Sequence, residues 1–170
     1  MSLIEYRLKR NFRATREPEP ETHKDLGQRF VVQKHNASHL HYDLRLEMKD
    51  DKTGDVALKS WAIPKNIPLE KQVKHLAIQT EDHPVRYLLF EGEIPKGNYG
   101  AGTVEIWDSG KWGMMKGSVE SGVLSFNLFG DRIKGRYQMI KTRGFKKNEE
   151  KSGKDKKQYW LIWRKGNEIA

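Results

Sequence analysis

The chain runs to 170 residues without a cysteine, and its 32 Lys and Arg outnumber 23 Asp and Glu, giving a formal net charge of +9 and a pI near 9.6. That length fits one domain able to bury a core, and the lack of thiols excludes disulfide scaffolds, thiolate metal sites and cysteine nucleophiles, so any metal must rest on His and carboxylate. The basic balance points to an anionic partner, nucleic acid first, or else to a surface that merely keeps the protein soluble; no apolar run approaches a membrane span and the N-terminus lacks a signal-peptide core, which implies a cytoplasmic protein with no membrane partner.

Residues 1–28 are polar and broken by Pro18 and Pro20, with room for one short helix around Leu3 to Arg10. They read as an arm that takes its order from the body of the domain. Over 29–170 the pattern changes to short alternating segments separated by Gly, Pro, Asn and Asp. Strands are expected at Arg29 to Gln33, His41 to Met48, Val56 to Trp61, His75 to Thr80, Tyr87 to Phe90, Thr103 to Trp107, Val123 to Leu128, Arg136 to Lys141 and Tyr159 to Arg164. Many short strands without long helices point to an all-β fold, a closed antiparallel barrel or a sandwich. The Gly-rich stretch Ile94 to Gly102 is expected as a tight, backbone-exposing turn, and the lysine-rich stretch Gly144 to Lys157 as a mobile loop.

The chemistry-bearing segment is Gln33 to Glu47, QKHNASHLHYDLRLE. From His41 the residues alternate strictly, which places Tyr42, Leu44, Leu46 and Met48 on one strand face and His41, Asp43, Arg45 and Glu47 on the other. An ordinary amphipathic strand would explain the alternation, but not the choice of His, Asp and Arg with His35 just upstream. His35 can reach His41 and Asp43 across the short turn Asn36 to Leu40. Two imidazoles and a carboxylate suit Mn²⁺, Zn²⁺ or Fe²⁺ with positions left for water and substrate. His39 belongs to the turn and reads as a surface histidine. Arg45, next on the same face, can hold a phosphate oxygen through its planar fork, or else pair with a Glu across strands. His83 precedes Pro84 and therefore sits on restrained, extended backbone. Lys59 alternates with buried positions, as a solvated strand lysine also would.

Together with the arm KRNFRATREPEP, the segments QKHNASHLHYDLRLE, LKSWAIPK and EDHPVRYLLFEGEIPKGNYGAGTVEIWDSGKW resemble the 3′-phosphoesterase domain of bacterial ligase D and its stand-alone archaeal and bacterial relatives. The similarity runs from about Leu8 to Trp163. It implies a compact closed β-barrel that removes 3′-terminal ribonucleosides and 3′-phosphates from DNA or RNA/DNA ends, leaving a 3′-hydroxyl for sealing during end joining. It implies Mn²⁺, with Co²⁺ or Zn²⁺ as substitutes, on His35, His41 and Asp43, and Arg45 and His83 as the phosphate-binding pair. Gln33, Lys59, Glu81 and Tyr87 match further active-site positions of the family, and Arg10 and Glu17 match its arm. Two positions depart from the pattern: Asn11 stands where the arm usually has Asp, and His75 where an Arg commonly precedes the EDHP segment and contacts phosphate. Asparagine cannot act as a base, so a weakened 3′-phosphate step is expected. The absence of a Lys-x-Asp-Gly motif implies separate ligase and end-joining partners.

In this reading the metal polarises phosphate or water, Arg45 neutralises charge and His83 donates a proton to the leaving oxygen. A β-barrel oxygenase on non-haem iron uses a similar ligand set, and a non-catalytic nucleic-acid-binding barrel would need the basic surface alone.

Overall fold

In the computed structural model residues 3–22, 26–143 and 157–166 are described; of the loop expected over Gly144 to Lys157, all but Lys157 lies outside them. A short helix, α1 (Leu3–Leu8), precedes nine strands: β1 (Arg29–Asn36), β2 (Leu40–Lys49), β3 (Val56–Ile63), β4 (Lys74–His83), β5 (Gly92–Ile94), β6 (Gly102–Ser118), β7 (Val123–Gly130), β8 (Lys134–Lys141) and β9 (Gln158–Gly166). All pairings between strands are antiparallel, in the order β1-β2-β3-β4-β9-β8-β7-β6, and β1 pairs with β6 to close an eight-stranded barrel. β5 adds to the outer end of β6.

Closure depends on the length of β6. Its first half runs beside β1, from Thr103 opposite Asn36 to Lys111 opposite Arg29, and its second half beside β7, from Gly110 opposite Gly130 to Ser118 opposite Val123. Gly110 sits at the handover, where a Cβ would overlap the Phe129 carbonyl oxygen, so the crossing strands can approach only at glycine. A strand ending at Trp107 was expected; glycines at 110, 113 and 117 lie instead within one long strand that coils between two partners.

Alternation fills the interior. Phe30 and Val32 of β1, Leu44 and Leu46 of β2, and Trp61 and Ile63 of β3 join Trp112, Phe126, Tyr137, Met139, Trp160 and Ile162 in one buried cluster. Trp61 meets Trp160 edge to face at 5.7 Å. Three interior polar tips are satisfied: Trp112 Nε1 donates to the Glu47 carbonyl, Trp160 Nε1 to Gln79 Oε1 and the Tyr137 hydroxyl to the Pro68 carbonyl; the Trp61 indole N–H is buried without a hydrogen-bond partner among the described residues.

A second apolar cluster lies outside the barrel. Val31, Val56, Leu58 and Val104 are covered there by Tyr6 of α1 and by Val85, Tyr87, Leu88 and Phe90. The last four residues were expected to include a strand, Tyr87 to Phe90. They lie instead in and beside a 3-10 helix, Val85–Leu89, preceded by Pro84 and tied by Tyr87 N–H to the Pro84 carbonyl. A short apolar run does not distinguish the two forms by period, and Pro84 presets the φ that starts the turn. Because this layer covers β1 to β3, the polar face of β2 is enclosed rather than solvated: Asp43, Arg45 and Glu47 are all buried.

Near the far end of the β1–β6 ladder, buried Asp108 gathers the turn after β7. Its carboxylate accepts the backbone N–H groups of Ser109, Asp131, Arg132 and Ile133 at 2.8–3.0 Å. Hydrogen bonds to a charged acceptor contribute about 1.5–3 kcal/mol each before their neighbours relax. Asp108→Ala is therefore expected to lower the stability of the domain by about 3 kcal/mol, read as a drop in the urea midpoint with an unchanged slope.

Candidate active site

The hairpin β1–β2 places His35 directly opposite His41, since the intervening loop is only residues 37–39. Asp43 follows on the same face, two residues along β2. His35 Nδ1 and His41 Nε2 each lie 3.4 Å from Asp43 Oδ2, and the two imidazoles meet at 4.7 Å between centroids. The outward nitrogens are both held by backbone: His35 Nε2 at 2.6 Å from the Gly100 carbonyl, His41 Nδ1 at 2.9 Å from the His39 carbonyl. A carbonyl only accepts, so each ring puts an N–H there, and in its neutral form each then turns a lone pair toward Asp43. His39 itself is exposed and contributes only that carbonyl.

Two lone pairs and a carboxylate converging on one point repel one another unless a cation stands between them. The three candidate ligand atoms lie within 4.8 Å of one another. Ligands about 2.1 Å from a shared ion at tetrahedral angles stand about 3.4 Å apart, the spacing found here on both sides of Asp43. The donor set thus fits a divalent transition metal. Burial would raise the Asp43 pKa, yet Arg45, His35 and His41 outweigh it and hold the carboxyl far below the usual carboxylate range; burial likewise lowers His41, but Asp43 more than offsets it and leaves His41 raised.

The Gly-rich segment supplies the Gly100 carbonyl from two successive turns, Asn98 N–H to Pro95 and Ala101 N–H to Asn98. Gly100 has φ +76°, and a Cβ there would press on the His35 ring at 3.3 Å. The expectation of a tight, backbone-exposing turn holds, and this is the use of the exposed backbone.

Arg45 lies beyond Asp43, with only 3% of its surface exposed. Its Nε donates to Gln33 Oε1 at 2.6 Å, its Nη2 lies 3.4 Å from Asp43 Oδ2, and its Cζ stands 4.6 Å above the Tyr87 ring. Gln33 is fixed in turn by donating to the Tyr87 and Phe90 carbonyls. Arg45 Nη1 is buried without a hydrogen-bond partner among the described residues. A buried guanidinium nitrogen left open beside a metal-type cluster is a seat for an anionic oxygen.

His83 completes the wall. Its Nδ1 lies 2.8 Å from the Glu81 carbonyl and its Nε2 is 3.3 Å from Arg10 Nη2. Burial first, then the guanidinium groups of Arg45 and Arg10, hold it well below the ordinary imidazole pKa. In this form His83 is neutral, and its Nε2 accepts a hydrogen bond rather than offering a proton.

The arm closes over this wall. Arg10 bonds Glu17 through Nε at 2.9 Å and Glu81 through Nη1 at 3.0 Å, and it stacks over the Tyr6 ring at 3.9 Å. Glu17 also accepts the Tyr87 hydroxyl at 2.6 Å. Burial raises Glu81, but Arg10 and Lys9 outweigh it and leave it lowered. Lys9 Nζ and Arg10 Cζ also stand 4.9 Å and 5.4 Å from the centre of the Tyr99 ring; Tyr6, Lys9 and Tyr99 escaped the sequence reading. The one local signal is the four-residue spacing of Tyr6 and Arg10, which puts the two on one side of a helical turn.

Three residues stand apart from this cluster. Lys59 bonds Asp82 at 2.8 Å and Asp50 at 2.9 Å. His75 lies at the opposite end of β4 from His83, about 26 Å along the strand, with its Nδ1 2.6 Å from the Asn66 carbonyl. Asn11 is exposed, and its side chain accepts the Arg13 N–H within the turn Asn11 to Ala14.

Residues 33–141 match the model of the DNA ligase D 3′-phosphoesterase domain. The chain is 48% identical over 146 residues to the multifunctional non-homologous end joining protein LigD of Pseudomonas aeruginosa, covering 82% of this chain and 17% of that protein. It is 48% identical over 147 residues to the corresponding DNA repair protein of Mycobacterium tuberculosis, covering 84% and 18%, and 42% identical over 153 residues to that of Mycolicibacterium smegmatis, covering 84% and 19%. The chain thus spans less than a fifth of the length of these relatives. With the match embracing every strand from β2 to β8 and both halves of the His/Asp/Arg cluster, the chain belongs to the family of DNA ligase D 3′-phosphoesterase domains.

Proposed function

We propose that this domain hydrolyses phosphate esters at DNA 3′ ends, releasing a terminal ribonucleoside and then the 3′-phosphate it leaves behind, with Mn²⁺, or Co²⁺ or Zn²⁺ in its place, held by His35, His41 and Asp43. The observation that carries this reading is Arg45, buried beside the triad with Nη1 unpaired among the described residues. The partners are DNA or RNA/DNA 3′ ends, and a DNA ligase activity that uses the 3′-hydroxyl produced, in the cytoplasm.

A bound divalent ion would supply charge to polarise a phosphate oxygen or acidify a water. Arg45 would take another phosphate oxygen through Nη1, preoriented by Gln33 and by the Tyr87 ring, so little ordering is left to be done at the moment of reaction. A phosphate entering between Arg45 and His83 brings negative charge, which favours the protonated imidazole. His83 Nε2 then turns from acceptor to donor toward a phosphate or leaving oxygen. Arg10, held by Glu17 and Glu81, lends positive charge at the same edge.

Turnover of a 3′-ribonucleotide-terminated primer is expected to require a divalent transition metal. His41→Ala and Asp43→Ala should each abolish both turnover and calorimetric Mn²⁺ binding, since each removes one of three protein ligands. Full activity after thorough chelation would refute the metal assignment. Oxygen-free buffer should not slow the reaction; a strict need for oxygen would favour the iron-oxygenase chemistry open to the same triad, and no turnover at all a binding barrel.

Arg45→Lys keeps the charge but not the planar fork, and kcat/KM is expected to fall on the order of 10²-fold or more. Asn11→Asp should behave differently from what the arm pattern alone implies. The Asn11 side chain closes an exposed turn that aspartate closes equally well, so neither the ribonucleoside step nor the phosphate step is expected to change more than about twofold in a gel time course.

A further inference from the structure

β4 carries a bulge that decides which residues reach the site. Ser60 of β3 stands opposite Thr80, and Leu58 opposite His83, so two steps along β3 are matched by three along β4. The extra residue lies in Glu81–Asp82. Before it, Ala77 is fully buried in the interior cluster and Gln79 accepts Trp160 Nε1 there. Unbroken alternation would carry Glu81 and His83 to the same interior face. The bulge reverses the parity: Glu81 and His83 both meet Arg10, and Asp82 bonds Lys59. Lys59 stands opposite Leu46 of the core and two residues before Trp61, on the interior side of β3.

Asp82 is 2% exposed and Lys59 6%. A carboxylate in the interior of a barrel needs a partner, and Lys59 provides it, steadied by Asp50 from the β2–β3 loop. Without the ammonium, Asp82 is left either to take up a proton, toward which burial already pushes it, or to leave the interior through a slip of β4 by one residue, which flips each side chain beyond it to the opposite face. That slip would take Glu81 and His83 away from Arg10 and Arg45.

We propose that Asp50, Lys59 and Asp82 form an ion triad that pins the β4 bulge and thereby seats His83 and Glu81 in the site, so that Lys59 and Asp82 are positioning residues that do not touch the substrate. The kinetic consequence rests on the phosphoesterase reading; the structural one does not.

The test compares Lys59→Met, Asp82→Asn and the double variant Lys59→Met with Asp82→Leu, in which apolar groups replace both charges. Three quantities are read: kcat/KM on a 3′-phosphate primer with Mn²⁺, calorimetric Mn²⁺ affinity, and the ¹⁵N shifts of the His83 ring. Lys59→Met is expected to lose on the order of 10²-fold in kcat/KM, the loss that a displacement of about 1 Å brings. Its Mn²⁺ affinity should stay as in the wild type while the His83 signals shift or broaden. The double variant should recover most of the activity and the native His83 signals. A double variant as inactive as Lys59→Met, with native His83 signals, would overturn the proposal and put Lys59 on the substrate. Where Lys59→Met does not fold, Asp82→Asn carries the test: disturbed His83 signals with lowered kcat support pinning, and native signals with wild-type kcat refute it. If the wild-type domain turns over no phosphate ester, the ¹⁵N comparison still decides the pinning, and only the functional reading fails.

Discussion

A guanidinium taken out of water costs several kcal/mol unless its charge and its N–H groups are answered. Arg45 is buried, and the groups that answer it come from every part of the site: Gln33 from β1, Asp43 from β2 and the Tyr87 ring from the 3-10 helix. Each of these has a second obligation. Gln33 holds the Tyr87 and Phe90 carbonyls, Asp43 faces the two imidazoles, and Tyr87 donates its hydroxyl to Glu17 of the arm. One buried cation therefore links the metal-type triad, the covering helix and the arm, and it keeps one nitrogen in reserve.

The barrel makes such a site possible by being covered on one outer side. The second apolar cluster anchors the arm through Tyr6 and the 3-10 helix through Val85 and Leu88, and this footing lets charged pairs such as Arg10 with Glu17 and Glu81 form with side chains at most 5% exposed. In that low-dielectric setting the charges act strongly on one another. The consequence is visible in His83, kept neutral by burial and by two guanidinium groups. The same environment makes the site responsive to an arriving phosphate, whose charge reverses the balance.

Much of the site was legible before any fold was known. The alternation from His41 to Glu47 assigns a face to each residue, and the loop between His35 and His41 is too short to separate them, so the triad and Arg45 follow from local geometry. The strands β2, β3, β7, β8 and β9 were legible for the same reason. The arm was recognisable as an arm, with its helix, although beyond the four-residue spacing of Tyr6 and Arg10 nothing in it announced that Tyr6 would pack on His83.

What the amino-acid order determined by itself was everything that depends on period and on short loops: the all-β class, the polar face of β2, the pairing of His35 with His41 and the exposed backbone of the Gly-rich turn. What only the tertiary structure decided was everything that depends on register between strands distant in sequence. Period alone puts His83 on the face of Gln79, and it takes the bulge opposite Lys59 to turn it toward Arg10. Period alone ends this strand at Trp107, and it takes two partner strands to carry it to Ser118. It leaves His75 eligible for the site, and only the run of β4 puts it at the far end of the strand. A bulge shifts parity by one residue, and no local pattern records that shift, because the residue opposite it comes from elsewhere in the chain.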